Sequence, residues 1–80
     1  MLNTKTIKKT ISDISDCIDY LSSDEIANYL HGVSFDYDFI MACSEYPAID
    51  ELLCESIGHA NQDNLFMTRL CLDEICDILD

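Results

Sequence analysis

Asn61–Asp80, NQDNLFMTRLCLDEICDILD, is the stretch whose reading decides the fold. Leu65, Phe66, Met67, Leu70, Cys71, Leu72, Ile75, Cys76, Ile78 and Leu79 cover well over half the circumference of a helix built on it. A surface helix needs an apolar stripe of only about 100°, so this arc predicts contacts on two sides. Arg69, Asp73, Asp77 and Asp80, spaced at four, four and three, are left as a narrow polar ridge. The stretch therefore reads as the central helix of a small bundle, or as one shared with a second copy in a homodimer through Asn61–Asp80.

Working outward, the first helix is expected from Thr4 to Leu21, with Asn3 or Thr4 as its cap. Ile7, Ile11, Ile14, Ile18 and Leu21 step by four, three, four and three, which is a narrow apolar seam. Its lysines come early and its aspartates late, against the helix dipole, so packing must hold it. Ser22 with Glu25 three residues on is a capping-box pattern. A short second helix would turn Ile26, Tyr29, Leu30 and Val33 inward and stop near Gly32. Ser34 is read as the cap of a third segment whose apolar face is Phe35, Phe39, Ile40 and Cys43. Pro47 drives Tyr46 out of helical geometry and suits the first turn of a fourth helix. That helix buries Ile49, Leu52, Leu53 and Ile57, ends at Gly58, and leaves Asn61 to cap the last. No period-two pattern is long enough for a strand. The expectation is all-α: a compact bundle of four to five helices, one acidic domain over residues 1–80.

A chain of 80 residues buries only about 60% of its unfolded surface. With 49% apolar residues it is nonetheless too hydrophobic to be a disordered acidic tail. The formal charge of −12 comes from 16 carboxylates against four strong bases. Lys5, Lys8 and Lys9 sit at the start, and from Thr10 onward Arg69 is the only Lys or Arg. Direct binding to nucleic acid or to membrane phosphates is excluded on that balance, and a cationic partner is favoured. No signal peptide or membrane span is visible, which points to the cytoplasm. Cys17, Cys43, Cys54, Cys71 and Cys76 are an odd count and read as reduced, buried small hydrophobes.

The chemistry searched for is mostly missing. Cys71 and Cys76 lie five apart, about 140° around a helix, and form no zinc knuckle. Asp36-Tyr37-Asp38 starts like a calcium loop, but Met41 stands where glycine is needed and Pro47 replaces the final glutamate. Glu55 and His59 lack the spacing of a di-iron bundle. Neither His31 nor His59 has a nucleophile and an orienting group at a telling spacing. No metal, cofactor or catalytic residue is assigned, so no enzyme is expected. Acyl carrier proteins are also small, acidic and helical, but their Asp-Ser-Leu attachment motif is absent here: Ser44 sits between Cys43 and Glu45.

What remains is acidic surface. Asp13, Asp16 and Asp19 recur every third residue, and Asp24, Glu25, Asp36 and Asp38 cluster at the next two helix starts. Helical neighbours at three or four residues sit about 5–6 Å apart, the same order as phosphates along a duplex strand. Such rows also serve as a solvated face, with caps accounting for several members. Tyr20, Tyr29, Tyr37 and Tyr46 are read as half-buried core edges that could double as interface anchors.

In size, charge and want of catalytic motifs, the whole chain resembles the small acidic inhibitors that phages make against host defence: anti-CRISPR proteins and DNA-mimicking anti-restriction proteins. The resemblance implies a stoichiometric inhibitor in the cytoplasm of a bacterial host. It would occupy the positively charged groove of a CRISPR effector or restriction enzyme, with Asp13, Asp16, Asp19, Asp24, Glu25, Asp36 and Asp38 as its contacts. The alternative is an antitoxin, immunity protein, adaptor or secretion chaperone. It would bind one partner through an apolar face, either the last helix or the Ile7–Leu21 seam.

Overall fold

The computed structural model describes residues 4–80, so Asn3 as a cap lies outside the described residues. It contains five helices: α1 (Thr4–Asp16), α2 (Ser23–Ser34), α3 (Tyr37–Glu45), α4 (Pro47–Asn61) and α5 (Leu65–Leu79). A 3₁₀ turn at Ile18–Tyr20 links the first two. Among the described residues there is no strand. The all-α bundle expected from the sequence is the fold.

The isoleucine seam of α1 is the floor of the core. Ile7, Ile11, Ile14 and Ile18 are buried, and Leu21 packs against them from the edge. The α-helix itself stops at Asp16 rather than Leu21. There the Cys17 amide is shared between the carbonyls of Asp13 and Ile14, at 3.1 and 3.2 Å, and the chain tightens into the 3₁₀ turn. Tightening keeps Ile18 inside and brings the chain to Ser22. Ser22 then caps α2 with both halves of the capping box made: its hydroxyl accepts from the Glu25 amide, and the Glu25 carboxylate accepts from the Ser22 amide.

Three further boundaries differ from expectation, each for a local reason. The cap of α3 is Asp36, whose carboxylate accepts from the amides of Asp38 and Phe39. Ser34 instead donates its hydroxyl to the His31 carbonyl at 2.6 Å. Second, α4 runs straight through Gly58 to Asn61, because its stop signal is Asp63 in left-handed geometry (φ 58°). The amides of Asp63 and Asn64 fold back onto the carbonyls of Ala60 and His59, at 3.0 and 2.8 Å, closing a Schellman motif. Third, the last helix therefore starts at Leu65, capped by the Asn64 side chain, which accepts from the Met67 amide. Asn61 is the last residue of α4. Tyr46 and Pro47 behave as read: Tyr46 leaves helical geometry (φ −126°, ψ 77°), and Pro47 opens α4.

α5 does bury two sides, against α4 and α1. The centre of the bundle, however, is shared by α1 and α4, since each of these also packs on α2 and α3. α4 and α5 meet through small residues. Ser56 of α4 and Thr68 of α5 are fully buried where the two helices meet. The Thr68 hydroxyl lies 2.9 Å from the Asn64 carbonyl and 3.4 Å from that of Ser56, while Ser56 donates to the Leu53 carbonyl at 2.7 Å. These bonds let polar side chains occupy the core without an orphaned donor. The body is elongated, 35 × 20 × 19 Å.

Candidate functional site

The seven carboxylates read as contacts divide by what the fold already asks of them. Asp13 is paired with Lys9 on α1 at 3.0 Å. Asp19 accepts from the Arg69 guanidinium of α5 at 3.2 Å, and the same nitrogen lies 3.4 Å from the Ser15 carbonyl. Glu25 completes the capping box of α2, and Asp36 caps α3. Asp16 and Asp24 are exposed, Asp38 half-buried, and none of the three has an ion-pair partner among the described residues.

The cations are disposed just as unevenly. Lys8 bridges to Asp80 at the far end of α5. That pairing raises the Lys8 ammonium and lowers the Asp80 carboxyl relative to their ordinary values, with the hydrogen bond between them as the main cause. Together with Lys9–Asp13 and Arg69–Asp19, three of the four strong bases are engaged within the chain. All of these pairs involve α1, the following turn or α5. α2, α3 and α4 contain no lysine or arginine at all. Their outer faces carry Asp24, Asp50, Glu51 and Glu55 without a cation between them.

Most of the cysteines and tyrosines lie shallower than the sequence predicts. Only Cys71 is buried; Cys43 and Cys76 are half-buried, and Cys17 and Cys54 are exposed. All five are free thiols. Burial pushes the Cys43 thiol up to about 11, helped by the nearby Asp50, and also raises Cys71 and Cys76. These three remain protonated at neutral pH, the opposite of an activated nucleophile. Tyr46 is a core edge, whereas Tyr20, Tyr29 and Tyr37 are exposed. Among the described residues, no three His, Cys, Asp or Glu side chains converge to hold a metal ion. A shallow groove of about 210 Å³ lies between α1 and α2, lined by Asp13, Ile14, Cys17, Leu21 and Tyr29. Small-molecule sites usually enclose about 300–1,000 Å³, so this open groove is undersized for one.

The apolar faces proposed for docking are largely consumed by folding. The Ile7–Ile18 seam is interior, and Cys71, Leu72, Ile75 and Leu79 of α5 are buried within the chain. On α5 only Phe66 and Leu70 remain exposed as large hydrophobics. A different apolar surface appears where the sequence placed an inward face. Phe35, Tyr37, Ile40 and Met41 all point to solvent around the start of α3. The inward face of α3 is Phe39, Ala42 and Cys43, continued by Tyr46. Stepping by three, one and three from Phe39 would have found it; the bulk of Phe35 and Ile40 misled the choice.

No protein-family model, no curated protein and no solved structure matches this chain. Among the described residues no helix is long and apolar enough to cross a membrane.

Proposed function

We propose that this protein acts by binding rather than catalysis. It occupies the positively charged groove of a nucleic-acid-binding protein or complex, a CRISPR effector or a restriction system, and inhibits it in the manner of a DNA mimic. One observation carries the reading: α2, α3 and α4 have no Lys or Arg, while Lys8, Lys9 and Arg69 are already engaged with carboxylates of the chain. The outward carboxylates of these helices are therefore not neutralised from within. Self-repulsion at a net charge of −12 works against the compact state, and a cationic groove would relieve it. Association would be steered electrostatically, with an on-rate that falls as salt screens the field.

The test is a pull-down with tagged protein from host lysate, repeated with excess duplex DNA and at raised salt. The expected outcome is recovery of a nucleic-acid-handling protein that both DNA and salt displace. The most informative variant combines Asp24→Asn, Asp38→Asn and Glu51→Gln on α2, α3 and α4, because no ion pair or side-chain cap depends on these three side chains. It should weaken binding by about ten-fold or more while leaving the fold intact. A partner that withstands DNA and salt and ignores the triple variant would overturn the mimic reading.

A further inference from the structure

We infer that the exposed patch of Phe35, Tyr37, Ile40 and Met41 is the anchor by which this acidic protein docks on a partner protein, whose complementary site is an apolar groove flanked by lysines and arginines. The inference rests on the cationic-partner reading above and adds a contact that charge alone would not provide.

Geometry makes the four side chains one surface. Tyr37, Ile40 and Met41 are related by three and four residues on α3, so they are neighbours on the helix. Phe35 immediately precedes the Asp36 cap, and Ile40 is the fourth helical residue. These are the two positions of a hydrophobic staple, a pattern whose members face each other across the helix start. A staple explains why an apolar pair stands here, yet it leaves most of the pair in water: Phe35 is 80% exposed and Ile40 50%. Tyr37 and Met41 add 72% and 42%. Together the four expose on the order of 400 Å², comparable with the largest patch of a typical monomer at about 300–600 Å².

Area and charge then choose the occupant. A stable interface buries about 800 Å² on each partner, apolar at its centre and polar at its rim. The patch supplies roughly half of that, leaving the remainder to its surroundings. Asp36 and Asp38 sit within the patch's own segment, and α2 and α3 bring no Lys or Arg to offset them. A second copy would set the same carboxylates against each other across a two-fold axis, with −12 on each chain. A groove with basic walls meets both the apolar centre and the acidic flank.

The test uses isotope-labelled protein and two peptides of equal positive charge: an amphipathic leucine–lysine helix and an oligolysine. The amphipathic peptide should bind at least about ten-fold more tightly, and its largest amide shifts should fall on residues 35–41. A Phe35→Ser, Met41→Ser double variant should bring its affinity down to that of oligolysine and leave oligolysine binding and the circular dichroism unchanged. Equal binding of the two peptides, with shifts spread over the acidic surface, would overturn the anchor while sparing the cationic-partner reading. Binding of neither would overturn both. Concentration-dependent dimerisation that the double variant abolishes would assign the patch to a second copy and likewise overturn the inference.

Discussion

The two sides of this molecule handle charge in opposite ways. Along α1 and α5, carboxylates and cations are stitched together: Lys8 to Asp80, Lys9 to Asp13, Arg69 to Asp19, with Ser15 donating to Asp73 at 3.4 Å. Along α2, α3 and α4, there is no Lys or Arg to stitch with, and apolar side chains at the start of α3 stand in solvent. A sequence under pressure only for solubility has no reason to confine its few cations to one side. The contrast separates a side with ion pairs of its own from one whose carboxylates have no Lys or Arg beside them, which is the side assigned to a cationic partner in the reading proposed above.

The contrast is one of surface and not of core, and the strongest way to break it is to remove a core residue from the cation-free side. Leu53 of α4 is fully buried, on the helix that packs on α2, α3 and α5. Leu53→Ala should cost about 2–5 kcal/mol of unfolding free energy. In urea, far-ultraviolet dichroism and tyrosine fluorescence should still report one coincident transition at a lower midpoint. Two separate transitions would mean that the sides are independent units.

What the sequence revealed follows the range of the interaction concerned. The α1 seam, the Ser22–Glu25 box and the Tyr46–Pro47 break are set by residues within four or five of one another, so their spacing exposes them. The end of α4 is not legible because Asp63 takes left-handed geometry, in a role for which Gly58 is the obvious candidate by sequence. Aspartate tolerates that region better than most residues. For the candidate site, the excess of acid was legible, but its uneven neutralisation was not. Arg69 and Asp19 are 50 residues apart, and only the α1–α5 packing brings them together. Phe35 and Ile40 are exposed because α4 and α1 pack on the Phe39, Ala42 and Cys43 row of α3; the spacing offers that row, but the bulkier side chains beside it compete with it on paper.

A smaller effect, of opposite sign, sharpens the account of α4. Gly58 lies inside the helix, is exposed, and has no atom within 4 Å of where a Cβ would stand. Gly58→Ala should therefore stabilise the protein by about 0.5–1 kcal/mol, through the entropy lost by glycine on entering a helix. A calorimetric melt measures it. Destabilisation would show that α4 ends at Gly58 after all and that the Asp63 turn is not its true stop.

The smallest expected effect bears most directly on the comparison. Arg69→Ala removes the guanidinium that joins α5 to Asp19 and to the Ser15 carbonyl. Both charged partners are substantially exposed, so the loss should stay under about 1 kcal/mol. Its dependence on salt is the informative part. Removing a positive charge from a chain at −12 also deepens its self-repulsion, and both losses shrink once the Debye length falls from about 30 Å at 0.01 M salt to about 3 Å at 1 M. The difference in melting temperature between variant and parent should therefore narrow as salt rises. A difference that persists at high salt would assign Arg69 to packing of its aliphatic stem. Lys8–Asp80 would then be left as the ion pair that joins α1 to α5, and the distinction between a stitched side and an unstitched one would lose most of its energetic basis.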